Sequence, residues 1–250
     1  MQLRHDPRNE KACATHAALL ELLGERPLPA GVCLVLGGDG FMLRCIRELG
    51  AGPTYLGVNC GRMGFMLNDV ASLPELVEAL DSGAWSVMTA PRLRMEAVGP
   101  EGELLSDVAV NDIYLERSSG QTAHLRVSVD GARVVERLVC DGVIASTALG
   151  STAYALAAGG VACHTSLGLI QLVAINPHVP RLPPIALPRE SVIDVEVIDG
   201  HRRPVRAVSD GQEHAEVRRV RIRDAHSDVH LAFLEGHDFT ATLVRKLLSH

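Results

Sequence analysis

The spacing of apolar positions follows two rhythms along the chain, and the change falls near Trp85. Before it, "EKACATHAALLELLG" carries Ala12, Leu19, Leu22 and Leu23 at roughly helical intervals, with Gly24 placed as a C′ residue and Pro27 beyond it. "GVCLVL" is short, unbroken and rich in branched residues, the pattern of a strand covered on both faces of a parallel sheet. "FMLRCIRELG" returns to helical spacing and stops at Gly50, and "TYLGVN" predicts a second strand that again ends in glycines, at "NCGRMGF". "SLPELVEALDSG" opens with Ser72 and Glu75 in capping-box spacing, has Pro74 in its first turn and ends at Gly83. Residues 1–84 therefore read as α/β, with strands feeding glycine-rich turns.

From Trp85 to about residue 234 the pattern is alternating segments broken by short turns: "RLRMEAVGPEGE", "HLRVSVDGARVVERLV" and "SVIDVEVIDGHRRPVRAV". Asp130-Gly131 and Asp199-Gly200 are hairpin signals. Between them the Ala-rich "STAYALAAGG" predicts a helix that stops at Gly159-Gly160, and "NPHVPRLPPIALP" (176–188) an ordered loop. In "EVRRVRIRDA" arginines alternate with Val220 and Ile222, as on the wet face of a half-buried strand. "DFTATLVRKLLSH" puts Phe239, Leu243 and Leu247 on one helical stripe that needs a surface to cover. The expected architecture is an N-terminal Rossmann-like α/β domain (residues 1–88 plus 235–250), a C-terminal antiparallel β-sandwich domain (89–234), and a C-terminal helix packing back on the first.

Composition narrows the classes. A chain of 250 residues buries a core without disulfide or metal staples, and its six cysteines are scattered, with no C-x-x-C pair. That usage predicts a reducing cytoplasm, and no apolar run approaches the ~18 residues of a membrane span. The formal net charge of −6 disfavours nucleic acid as a partner. Lys11 and Lys246 are the only lysines, and neither follows a glycine-rich loop, so a P-loop is excluded. The eleven histidines show no H-E-x-x-H spacing, and no metal-binding residues are expected. Ser151 in "LGSTAY" lacks the second glycine of a nucleophile elbow.

Three clusters remain. In "LGGDG", glycines 37, 38 and 40 let the backbone approach a ligand, and the following helix aims its first amides there, which attracts phosphate. A carboxylate at that place opposes phosphate unless it holds a metal or takes a proton from a hydroxyl; alone, Asp39 reads equally as a helix cap. In "VNDIYLER", Asn111 and Asp112 interrupt a strand-like run. In "CDGVIASTALGSTAYALAAGG" an acid, several hydroxyls and a glycine introduce a helix, which suits a nucleotide, with Tyr154 offering a face for a base.

Taken in order, "LGGDG", "GVNCGRMGFM", "VNDIYL", "DGVIASTALGSTAYALAAGG", "INPHVPRLPPIALP" and "SDGQE" resemble the NAD kinases, over residues 30 to 215. The resemblance implies a two-domain fold with the active site between domains, and transfer of a phosphoryl group from ATP or polyphosphate to the adenosine-ribose 2′-hydroxyl of NAD. It implies Asp39 as proton acceptor, with Gly40 beside it and Arg44 a basic ligand-binding position. Asn111 and Asp112 stand at the family's dinucleotide-contacting pair, and Asp141 at an acid used on the nicotinamide side. Thr152, Ala153, Tyr154, Ala155, Leu156 and Ala157 match the adenosine pocket, and Gln212 and His124 further binding positions. Mg²⁺ with the donor, a cytoplasmic location and a dimer or tetramer are also implied, with no nucleic acid and no membrane. Leu149 departs from the family pattern by replacing a hydroxyl residue, and Phe41 stands where Thr is frequent.

Two other functions share parts of this pattern. Diacylglycerol and sphingosine kinases are similar at GGDG but lack the "DG…GSTAYALAAGG" cluster. A non-catalytic NAD(P)-binding module would keep the pocket without turnover; Leu149 points that way and Asp39 against it.

Overall fold

The computed structural model describes residues 2–62 and 64–248. Met1, Met63, Ser249 and His250, at the ends of the expected first strand and last helix and inside the second glycine turn, lie outside the described residues. Two compact units form: Met1–Ala90 with Asp228–His250, and Pro91–Ser227.

The first unit runs β1 (Gln2–His5), α1 (Glu10–Leu23), β2 (Val32–Gly37), α2 (Asp39–Leu49), β3 (Thr54–Asn59), α3 (Leu73–Ser82) and β4 (Trp85–Ala90). Asn9 caps α1 by accepting from the Ala12 amide at 3.0 Å, and Ser72 caps α3 by accepting from Glu75, so short polar side chains set both helix starts. β2 is buried at every position, as its unbroken apolar run requires. Leu22, expected on the core face of α1, is instead exposed, and Ala12, Leu19 and Leu23 make the contact.

The second unit contains β5 (Leu93–Val98), β6 (Leu104–Ala109), β7 (Asp112–Arg117), β8 (Ala123–Val129), β9 (Ala132–Cys140), β10 (Gly142–Thr147), α4 (Tyr154–Ala157), β11 (Leu169–Ile175), β12 (Ile185–Pro188), β13 (Ile193–Val197), β14 (Val205–Ser209), β15 (Gln212–Glu216) and β16 (Arg219–Asp224). They make two six-stranded sheets, in the orders β12-β11-β10-β7-β14-β15 and β6-β5-β16-β13-β8-β9. Every pairing among them is antiparallel. One apolar core joins the inner faces, through Ile113 and Leu115 of the first sheet and Met95, Leu125, Val127, Val195 and Val220 of the second. The outer face of the first sheet is covered too: Ile144, Val173 and Ile175 pack against Ala155 of α4 and the rings of Tyr114 and Tyr154.

The chain then returns to the first unit with β17 (Val229–Leu234) and α5 (Phe239–Leu248). β17 enters the middle of that unit's sheet, whose order is β1-β2-β3-β17-β4, parallel to β3 and antiparallel to β4. Residues 229–234, expected in the β-rich domain, therefore belong to the α/β unit. Phe239 of α5 meets Phe233 edge-on at 4.5 Å, and Arg245 reaches Asp69 at 3.3 Å. The last helix thus packs back on its own unit through Phe239 and Arg245.

Two further expectations are corrected. Asp199-Gly200 makes no hairpin: β13 pairs with β8 and β16, while β14 lies in the other sheet, so the turn carries the chain across the sandwich. "STAYALAAGG" is no continuous helix but a 3₁₀ turn, Gly150–Thr152, a break at Ala153 and the single turn α4.

Candidate active site

In the first unit, β2 delivers the chain to Gly38, the N-cap of α2, and Asp39 is the first helical residue. Its side chain does not cap the helix. The two carboxylate oxygens accept instead from the backbone amides of Phe65 and Met66, at 2.8 and 3.0 Å, in the turn after β3. Cys60 donates its amide to Gly37 at 2.8 Å, tying the same turn to the end of β2. The second glycine-rich stretch of the sequence therefore orients the acid of the first.

Glycines 38 and 40 do not owe their lack of a side chain to packing: an added Cβ at either would meet nothing within 4 Å. Gly37 differs, because Phe41 folds back over it and a Cβ would lie 3.0 Å from that ring. Arg44 is exposed, paired with Asp6 at 3.2 Å and 5.2 Å above the Phe41 ring. Gly40, exposed, and Asp39, half-buried, lie together at the helix start, and Arg44 lies further along α2.

In the second unit the candidate residues gather on the outer face of one sheet. Alternation along β7 turns Ile113 and Leu115 into the core and places Asp112, Tyr114 and Glu116 on the other face. Asp112 is buried, and that burial, followed by the charge of Asp210, pushes its carboxyl up to about 7. The rings of Tyr114 and Tyr154 meet edge to face at 5.0 Å. Asp141, at the turn into β10, accepts from Asn176 at 2.9 Å and from Arg117 at 2.6 Å. The Asn176 amide and then Arg117 hold its carboxyl below the usual range, against the opposing effect of burial.

The segment bearing Asn111 is gripped from both sides. Asp210 accepts from the amides of Val110, Asn111 and Asp112 at 2.6, 2.9 and 3.3 Å. Thr147 donates its hydroxyl to the Val110 carbonyl at 2.7 Å and its amide to the Asn111 carbonyl at 2.9 Å. Gly150 packs so tightly here that a Cβ would lie 2.1 Å from the Asn111 carbonyl oxygen. Sequence reasoning singled out neither Asp210 nor Thr147 nor Asn176; the Asp210-Gly211 dipeptide, with φ of 46° and 79°, was the available signal.

Thr152, Tyr154 and Leu156 are half-buried and Ala153 and Ala157 exposed, whereas Ala155 is fully buried and fixes α4 to the sheet. Gln212 is exposed at the start of β15. His124 is buried on β8 of the other sheet, with Arg137 at 3.1 Å and Asp199 at 3.9 Å. Burial and then Arg203 and Arg137 lower its pKa, against the opposing effect of Asp199. Leu149 is buried, so the position that departs from the family pattern packs as core. Ser151 is a tie rather than a nucleophile: its buried hydroxyl donates to the Ala148 carbonyl at 2.6 Å and accepts from the Cys163 amide at 2.8 Å.

A family profile described as the ATP-NAD kinase C-terminal domain matches residues 110–233, the stretch holding the second cluster. A NAD kinase of Cereibacter sphaeroides is 38% identical over 228 residues, spanning 89% of this chain and 88% of that one. One of Rhizobium meliloti is 36% identical over 203 residues, 80% and 77% of the two chains. Yeast NADH kinase complexed with NADH superposes with a TM-score of 0.87 at 19% identity, covering 99% of this chain and 87% of that one. A NAD kinase from Archaeoglobus fulgidus in complex with ATP gives 0.80 at 24% identity, covering both chains fully. The two structures share the fold, and the sequence relatives, matched over most of both chains, carry the assignment further: the chain belongs to the NAD kinase family.

Proposed function

We propose that this chain transfers a phosphoryl group from ATP or polyphosphate to the adenosine-ribose 2′-hydroxyl of NAD, with Asp39 as the general base. The observation that carries this reading is the setting of Asp39. A carboxylate fixed by two backbone amides stands at the start of an eleven-residue helix, beside glycines that no internal packing requires. Anions favour that helix end, and open glycines leave the amides accessible to phosphate.

The step balances simply. The 2′-oxygen attacks the terminal phosphorus of the donor, the bond to the leaving phosphate breaks, and the hydroxyl proton passes to an Asp39 oxygen and then to solvent. Phosphoryl transfer has a loose transition state, so positioning and charge neutralisation do most of the work, and an ordinary carboxylate suffices as a base that completes proton transfer late. Residues Asn111, Asp112, Tyr154 and Asp141 bind the dinucleotide in this reading. Tyr154 offers a ring face, and the ionised form of Asp112 accepts from a hydroxyl.

The residues fit a divalent cation brought by the donor. Mg²⁺ takes one or two carboxylates plus substrate phosphates, so a cation carried by the donor needs few protein ligands. A cation bound at the glycine turn, held mainly by the donor's phosphates, would offset their charge while Asp39 keeps the proton-accepting role. The test is to supply NAD, Mg²⁺ and either ATP or polyphosphate, and to follow product by mass and ³¹P NMR. A ribose 2′-phosphate is expected; a folded protein that binds NAD and forms no such product is a binding module instead.

A further inference from the structure

Asp210 touches nothing in the reaction as written above, yet its carboxylate grips the segment that bears Asn111 and Asp112. Its carboxylate accepts three consecutive backbone amides, and its own amide donates to the Asp112 carbonyl at 3.1 Å. Thr147 and Gly150 close the opposite side. Asn111 and Asp112 are thus held in one conformation by a turn whose next residues are Gly211 and Gln212.

The other Asp-Gly hairpin turn gives a measure of what such a turn needs for its own sake. Asp130, with φ of 50°, accepts one backbone amide, that of Val192 just before β13, at 2.8 Å. Turn formation accounts for one such bond; three bonds, all to the segment bearing the candidate ligand contacts, are more than a turn requires.

We infer that Asp210 is a positioning residue for the acceptor dinucleotide, holding the amides of residues 110–112 so that Asn111 and Asp112 meet NAD in a fixed geometry. The inference rests on the reading given under Proposed function. Asp210 also sets the electrostatics at Asp112, which faces Asp210 from the β14–β15 turn, Tyr114 from its own strand and Tyr154 from α4. Among the described residues, Asp210 is the one that brings a full negative charge to this group.

The test is steady-state kinetics of the full chain carrying Asp210→Asn, a residue that tolerates the positive φ and keeps one acceptor oxygen. Loss of one or two charge-assisted bonds predicts a KM for NAD raised roughly 10- to 100-fold, with the KM for ATP within about twofold of the parent. Removing the charge should also move the acid limb of kcat/KM for NAD to lower pH, which a purely structural role would not do. Asp130→Asn serves as the control, with both KM values unchanged. A folded Asp210→Asn protein whose KM for NAD stays within about twofold overturns the inference. Asp210→Glu, which keeps the charge but displaces it, covers a failure of the Asn variant to fold: a raised KM for NAD with the limb in place supports the inference, and an unchanged KM overturns it. Asn111→Ala and Asp112→Ala separate the two levels. If they raise the KM for NAD and the Asp210 variants do not, only the positioning role falls. If none does, the reading it rests on falls as well.

Discussion

Asp112 opens β7 and Asp141 directly precedes β10, its neighbour in the same sheet, yet burial and Asp210 drive the first toward its neutral form, while Asn176 and Arg117 keep the second charged. Asp112 titrates at about 7 in the folded protein and near ~4 in the unfolded chain. Between those values the native state holds a proton that the unfolded state has lost, so this group favours folding less and less as pH rises through that window. Asp112→Asn removes the dependence: relative to the parent, the variant should gain stability between pH 5 and pH 8. Urea unfolding at the two pH values measures this, and an equal difference at both would show that Asp112 ionises normally. The glycines give a second residue-scale prediction. Gly150→Ala forces a Cβ onto the Asn111 carbonyl and should cost about 1–3 kcal/mol in urea unfolding, occasionally more. Gly40→Ala, in open space on a helix, should leave stability unchanged or slightly raised while raising the KM for ATP.

Elements whose ends are decided by local chemistry were legible in the sequence. The caps at Ser72, Gly50 and Gly83 and the run "TYLGVN" all lie where spacing and turn residues place them. Elements decided by distant partners were not. Asp130-Gly131 and Asp199-Gly200 look alike, and both aspartates adopt positive φ, but only the first turn joins paired strands. The second sends β14 to the other sheet because Val205 and Ala207 complete the core beside β7. "STAYALAAGG" has the composition of a helix, but Gly150 is pressed on Asn111 and Ser151 is tied to Cys163, and the backbone breaks at Ala153. The candidate site was legible to the same extent: Asp39, Asn111, Asp112 and Asp141 stand out as acids or amides in apolar or glycine-rich runs. Asp210, Thr147 and Asn176 sit in turns or at strand ends where polar residues are ordinary, and their reach to the site is a property of the fold. Ser151→Ala should therefore destabilise by about 1–3 kcal/mol through the unpaired Cys163 amide, checked by thermal unfolding, rather than abolish chemistry.

At the scale of the molecule, the α/β unit is interrupted in sequence by the sandwich. β17 and α5 come after residue 227, and β17 lies between β3 and β4. Truncation there should unfold the first unit, while a fragment of residues 91–227, which keeps every strand of both its sheets, should unfold cooperatively in urea by itself. The central claim concerns Asp39, and the full chain carrying Asp39→Asn tests it most directly. Asn keeps one acceptor for the Phe65 and Met66 amides, so NAD affinity by calorimetry should stay within about twofold of the parent while kcat for NADP formation falls ~10²–10⁴-fold. Near-normal turnover in that variant would contradict the assignment of Asp39 as the base.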